Sequence, residues 1–377
     1  NMKATVSQQN LAHGLSIVSR AVSTRSTLPV LSNVLIATDE GRLRLSATNL
    51  ELGITCWIGA RVEEEGSTTV PARTFTDLVS ALPNDQVCLT LNTRTQALNV
   101  RCGASTTDIK GIDAQEFPPF PVPDLADGIM LNVADFKEMV QQVAFAASTD
   151  EARPVLMGVL LTVAGNEITL AAADGFRISE RKAFLANPIS QDLTAIVPAR
   201  ALSELARVAS DPEQTIQMLI PKGRGQVIFH MKDIELVSQL IDGNFPPYKQ
   251  VVPRSYKTRT VLATGEMLKA CKQAEIIARD GTNVVRVSIT PAGELKPGTV
   301  EISAQSEETG SSEITVDANI DGVPLLIAFN VRFLREVLEV IHTPTVSLET
   351  TQPNSPGTLK PVGDDNFLHV IMPMHLG

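Results

Sequence analysis

The sequence predicts an α+β protein built from three tandem copies of one module, and three observations predict it. The chain repeats itself. Leu28-Pro29-Val30-Leu31-Ser32-Asn33-Val34-Leu35 returns 125 positions later as Arg153-Pro154-Val155-Leu156-Met157-Gly158-Val159-Leu160. Val70-Pro71-Ala72-Arg73 returns as Val197-Pro198-Ala199-Arg200, and Phe117-Pro118-Pro119-Phe120 as Phe245-Pro246-Pro247-Tyr248. A repeat of this length is a whole domain, because solenoid units run at roughly 20–50 residues. The length of 377 residues leaves room for several domains of about 100–150 residues. Strand and helix periodicities also follow one another in the same order in each third of the chain.

In the first module Lys3 to Ser7 reads as a strand. Gln9 to Val22 reads as a helix, with Leu11, Leu15, Val18 and Val22 on one face. Strand-like runs from Val34 to Ile58 break at Asp39-Glu40-Gly41, and Arg73 to Leu82 is a second helix stopped by Pro83-Asn84-Asp85. Strands run on to Ile112, and Phe117 to Pro123 is a linker. The second module has helices at Phe136 to Ala147 and Ala199 to Ala209, and closes at Asp242 to Pro247. The third is more diverged and rests on element order. Its strands are Val261 to Ala263, Val284 to Ile289, Val300 to Ala304, Ile314 to Ile320 and Phe367 to Met372; its helices are Glu266 to Arg279 and Val331 to Ile341. The modules are expected to span residues 2–126, 127–253 and 254–377.

Hydrophobic residues make up 43% of the chain and aromatics only 4%, so the cores must be aliphatic and wholesale disorder is excluded. No apolar run approaches the ~20 residues of a membrane span, and no secretory leader is evident. Cys56, Cys88, Cys102 and Cys271 lack metal-ligand spacing, which reads as a reduced, cytoplasmic protein. The net charge of -10 argues against nucleic-acid binding through a globally basic surface.

The helices nevertheless carry basic residues opposite their buried faces. Lys269, Lys272 and Arg279 share one face of the fifth helix, with Ile276 among them and Leu268, Cys271 and Ala274 as the buried stripe. Arg200, Glu204 and Arg207 line up on the fourth; His13, Ser16 and Arg20 on the first; Lys137 and Gln141 on the third; Arg332 and Arg335 on the last. Any one of these is an ordinary solvated face, but copies of one helix should face a common object. Signals of catalysis are lacking. The five histidines show no zinc-enzyme spacing, no phosphate loop or nucleophile elbow occurs, and Gly223-Arg224-Gly225 reads as a hairpin turn. The expectation is no catalytic residue, no metal and no cofactor. The end of the chain, Phe367 to Leu376, is a strand followed by Met372-Pro373-Met374, an apolar tail that no core pattern requires.

Met2-Lys3-Ala4-Thr5-Val6, Arg25 to Asn33 and Met372-Pro373-Met374-His375-Leu376 closely resemble the bacterial DNA polymerase III beta sliding clamps, and the resemblance covers the whole chain. It implies three DNA-clamp domains per chain, with helices lining a hole, sheets outside, and two chains closed head to tail into a homodimeric ring. The implied function is to encircle duplex DNA without sequence preference and to tether the polymerase. The implied partners are the DNA polymerase III catalytic subunit, the clamp loader complex and other proteins bearing a clamp-binding motif, with no membrane partner and a nucleoid-associated place in the bacterial cytoplasm. Carried onto this sequence, the DNA-facing residues are Arg25, Lys137, Arg200, Arg207, Lys269 and Lys272. The partner-peptide pocket comprises Leu156, Gly175, Arg177, Ile178, Pro246, Val251, Val370, Met372, Pro373, Met374 and Leu376. The ring-closing residues are Phe75, Leu78, Leu82 and Ile109 against Ile276 and Ile277, with Glu307, Glu308 and Glu313 as polar contributors. Departures from the family pattern are Arg153-Pro154-Val155 where aromatics are common, Phe176 where many relatives have His, and Gln250 where some have a basic residue. The rival readings are an enzyme with an unrecognised site and a tandem-domain interaction scaffold that never encircles DNA.

Overall fold

The computed structural model of the chain describes residues 1–376. Among these residues six α-helices occupy the six expected places: α1 (Gln8–Val18), α2 (Ala72–Ala81), α3 (Val133–Val143), α4 (Ala199–Val208), α5 (Thr264–Ala278) and α6 (Val331–Leu338). Local chemistry sets their starts. The Ser7 hydroxyl accepts the Asn10 amide at 3.1 Å, Asn132 accepts the Asp135 amide at 3.1 Å, and Asn330 accepts the Arg332 amide at 2.9 Å. Each such bond satisfies an amide that has no partner in the first turn. Helices expected to reach Val22, Ala147 and Ile341 stop at Val18, Val143 and Leu338. The first two continue as tighter 3₁₀ turns, Ser19–Ala21 and Ala144–Ala146, a common way to end a helix. On α1 the buried Gly14 permits close packing, since a Cβ there would sit 2.8 Å from Leu45 Cδ1.

The strands form three antiparallel sheets. The five-stranded sheet runs Arg61–Glu64, Lys3–Ser7, Gln86–Asn92, Ala97–Cys102, Ser105–Lys110. The eight-stranded sheet runs Ile129–Asn132, Thr215–Leu219, Gln226–His230, Ile234–Gln239, Leu52–Gly59, Arg42–Thr48, Asn33–Asp39, Ser67–Pro71. The twelve-stranded sheet runs Leu193–Pro198, Gly158–Ala164, Glu167–Ala173, Arg177–Phe184, Phe367–Ile371, Gly357–Pro361, Thr345–Thr350, Thr258–Ala263, Gly310–Gly322, Thr299–Ser306, Val284–Thr290, Leu325–Asn330. The expected strand Ile314 to Ile320 is therefore much longer. Residues 318–322 pair with Thr258–Ala263 and residues 310–317 with Thr299–Ser306.

By contact the chain divides into two compact units, Asn1–Phe136 with Ala201–Leu240, and Lys137–Arg200 with Ile241 to the end. The dividing lines cut α3 and α4 because the sheets cross module boundaries. Within the first unit, Leu52–Gly59 of the first module pairs with Ile234–Gln239 of the second, Gly53 opposite Val237. Within the second unit, Arg177–Phe184 pairs with Phe367–Ile371 of the third module, Ile178 opposite Val370. The cores are aliphatic, as composition requires. In the third module Val285, Val287, Ile289, Val300, Ile302, Ile327, Leu334 and Val337 pack around Phe329. The buried side of α5 differs from the expected stripe. Met267, Ala270, Cys271, Ala274 and Ala278 are buried, and Leu268 is only half-buried against the same core.

Candidate functional site

The pairing of Arg177–Phe184 with Phe367–Ile371 sorts side chains onto two faces, because alternate strand residues point opposite ways. On one face Ile178 and Val370 cluster with Ala171, Ala173 and Tyr248. Phe245 meets the Tyr248 ring edge-on at 6.1 Å, and the Tyr248 hydroxyl donates to the buried Glu180. That bond and burial hold the phenol far above its usual pKa, burial being the larger cause. Beside Tyr248 lies a cleft of about 170 Å³ lined by Arg153, Leu156, Ala173, Gly175, Arg177, Ile178, Pro246, Tyr248, Val251, Val370 and Met372. Its walls are mostly aliphatic, and its size suits a few inserted side chains rather than a cofactor, whose sites usually exceed about 300 Å³. Gly175 has φ +92°, and a Cβ there would press within 3.2 Å of the Arg153 guanidinium. Arg153 lies over this turn and donates to the Asp174 carbonyl at 3.2 Å.

Eight of the eleven expected pocket residues thus meet at one cleft. Pro373, Met374 and Leu376 do not line it, and the expectation for them is corrected. After Met372 the chain leaves the cleft along the third module. The Met374 amide donates to the Ala328 carbonyl at 2.8 Å, and Arg286 donates to the Leu376 carbonyl at 2.5 Å. The edge strand Leu325–Asn330 offers unpaired backbone groups, and the tail takes one of them. Sequence reasoning missed Arg153, Ala173 and Tyr248. Tyr248 was legible as the repeat partner of Phe120.

The opposite face of the same strand pair is buried and sets polar groups among the apolar Phe367 and Ile371. Arg177 Nε donates to Asp174 at 3.2 Å, one terminal nitrogen to Glu336 at 2.8 Å and the other to the Phe145 carbonyl at 3.1 Å. Its guanidinium also sits 4.3 Å from the Phe333 ring centroid. Arg177 is 5% exposed, so its charge is already matched within the fold and only its surface is left to the cleft. Next to it His369 is fully buried, stacked on Phe145 at 5.5 Å, with Nδ1 2.5 Å from the Ser179 hydroxyl. Among the described residues its Nε2 has no hydrogen-bond partner. Burial, with the Arg177 charge as a lesser cause, lowers its pKa to about 3.

The basic helix residues fare unequally. Arg25, Arg200, Lys269 and Lys272 are exposed and Lys137 half-buried. Among the described residues Arg25, Lys137, Lys269 and Lys272 have no ion pair. Arg207 is exposed as well, but it is engaged within the fold: its Nε donates to Glu204 at 2.8 Å and its terminal nitrogens to the Ser16 and Ile17 carbonyls at 3.4 and 3.2 Å. Glu204 does not share the exposed face; it is buried and also pairs with Arg20 at 3.1 Å. On α6 Arg332 pairs with Glu336, and Arg335 with Glu275 and Glu339.

The expected ring-closing set is also divided. Phe75 is 0% and Ile109 6% exposed. Both belong to the first module's interior and cannot be presented to a partner, a correction with a plain cause: α2 and the edge strand turn these side chains inward. Leu78 and Leu82 are half-buried, and Ile277 packs partly on the third module's core. Ile276 is 53% exposed, and Glu307, Glu308 and Glu313 are exposed as well. The Cys56 and Cys271 thiols are pushed up to about 12 by burial, which makes them poor nucleophiles.

Comparison with known proteins adds three family models, described as the N-terminal, central and C-terminal domains of the DNA polymerase III beta subunit. They match residues 2–121, 130–247 and 249–375. The chain is 34% identical over 379 residues to a beta sliding clamp of Synechococcus elongatus, covering 100% of both chains. Among solved structures it resembles a DNA polymerase sliding clamp from Bacillus subtilis, with a TM-score of 0.94, 28% identity and 100% of both chains covered. It also resembles a Pseudomonas aeruginosa sliding clamp bound to griselimycin, with a TM-score of 0.90, 28% identity and the same full coverage.

Proposed function

This chain belongs to the DNA polymerase III beta subunit family, and from that premise we propose how its residues carry out a clamp's work. It is a DNA sliding clamp that tethers the replicative polymerase and other replication proteins for processive synthesis, with no catalytic chemistry of its own. The observation that carries this reading is the full-length match of three tandem modules in family order.

A clamp linked topologically to DNA does not need tight contacts. Scattered lysines and arginines supply weak, salt-sensitive attraction to phosphates, and sliding requires that bases go unread. Arg25, Lys137, Arg200, Lys269 and Lys272 suit that task. The net charge of -10 would discourage binding of DNA elsewhere. The modules span residues 2–126, 127–253 and 254–377. Two chains close head to tail. The sheet edges left open by Ser105–Lys110 and by residues 310–317 are suited to pair between protomers, beside Ile276. The cleft lined by Leu156, Ile178, Val251, Val370 and Met372 takes a short peptide of the polymerase, the clamp loader or another partner. A few buried apolar side chains anchor it, the mode in which a small part of an interface supplies most of the binding. The protein works in the cytoplasm, on the nucleoid.

The test is retention on nicked circular DNA after loading by the clamp loader, followed by linearisation. Retention on the circle and release from the cut ends is expected. A scaffold that never encircles DNA would show no difference between the two.

A further inference from the structure

We infer that Glu204 sets the charge that α4 and the 3₁₀ turn after α1 offer to DNA, an inference that rests on the clamp reading above. Its carboxylate sits between two guanidiniums, with Arg20 Nη2 3.1 Å from Oε1 and Arg207 Nε 2.8 Å from Oε2. The acid is shielded, at 7% side-chain exposure, while Arg20 is 60% and Arg207 36% exposed. Arg207 also caps the Ser16 and Ile17 carbonyls near the C-terminal end of α1, where helix carbonyls lack intrahelical partners. One buried negative charge therefore ties two exposed positive ones to the end of a helix. The cluster presents one net positive charge where its arginines alone would present two. On a surface that must slide, an additional fixed phosphate contact raises affinity at the expense of movement. A glutamate placed under the arginines, rather than a missing arginine, keeps both side chains as structural ties between α1 and α4 while halving their outward charge.

The experiment measures binding of a short fluorescein-labelled duplex by anisotropy over a range of salt. Each phosphate contact contributes about 0.9 to the slope of log affinity against log salt. Glu204→Gln is expected to steepen that slope by about 0.9. Between roughly 50 and 200 mM salt this enlarges the affinity drop about 3- to 4-fold. Glu204→Asp, which keeps the charge, should leave the slope as it was. Adding Arg207→Gln to Glu204→Gln should restore the original slope, although it removes one more tie. A merely structural Glu204 would lower the melting temperature of these variants without moving the slope in this pattern. If Glu204→Gln does not fold, Arg207→Gln alone must flatten the slope by a similar amount. An unchanged slope in folded Glu204→Gln, or a double variant that stays steep, overturns the inference. Neutralising Lys269 and Lys272 together serves as the separate check on the clamp reading. If that leaves the slope unaltered, α5 does not face DNA, whatever Glu204 does.

Discussion

Arg177 and His369 show how much a single position can hold that its residue type does not announce. Arg177 was expected as a pocket residue, and it does border the cleft. Its guanidinium, however, is spent on Asp174, Glu336 and a carbonyl. Removing it would strand Asp174 and leave Glu336 to Arg332 alone, and breaking such a shielded pair costs roughly 3–5 kcal/mol. The residue is therefore a poor probe of peptide contact. Beside it, His369 makes a prediction about pH. Its folded pKa is lowered to about 3 from an ordinary 6.5. The unfolded chain then takes up the proton first. Stability is complete above pH 6.5 and falls as pH drops from there toward 3, by up to about 1.4 kcal/mol per pH unit. Urea unfolding between pH 7 and 4 should show this extra slope in the parent protein and its absence in His369→Gln. Parallel pH profiles for the two would mean that the ring titrates normally.

At the scale of elements, the strand Phe367–Ile371 and the residues after it part company. Met372 lines the cleft, whereas Met374 pairs with the edge strand Leu325–Asn330. Burying a methionine side chain is worth roughly 1.5–3 kcal/mol. Met372→Ala should therefore weaken a polymerase-tail peptide about tenfold. Deleting the residues after Pro373 should weaken it less. Anisotropy titration of one labelled peptide against both proteins checks the order, and a larger loss from the deletion would return the tail to the site. The six helices were legible because each has an apolar period and a marked start, such as Ser7, Asn132 or Pro198. The side of a helix was less legible. Glu204 falls on the same helical face as its basic neighbours, and its second partner, Arg20 on another element, cannot be read from that spacing. The strand partnerships were not legible at all. Ile178 and Val370 are distant in sequence, and neither carries a mark of the other, because backbone pairing is blind to side-chain identity.

For the whole molecule, the internal repeat predicted the first two modules and the order of elements the third, and three family domains match in that order. What the repeat could not convey is that the compact units are two and divide the middle module. Ring closure belongs at this scale too. Ile276 is exposed whereas Ile277 is partly core. Charging Ile276 alone should release monomers, since an unpaired carboxylate would be desolvated in a closed interface. Charging Ile277 should mainly lower the melting temperature. Sedimentation and thermal unfolding of Ile276→Asp and Ile277→Asp separate the two. A fully dimeric Ile276→Asp would move the interface elsewhere. The sheets that cross from one module to the next also bear on how such a chain can be cut. Severing it after residue 126 removes Ile234–Gln239 from beside Leu52–Gly59, and the exposed row of amides and carbonyls, flanked by Ile54 and Ile58, becomes a template for aggregation. The repeat unit that duplication copied is thus no longer a unit that can be handed on: a fragment meant to stay in solution must keep its neighbour's closing strand.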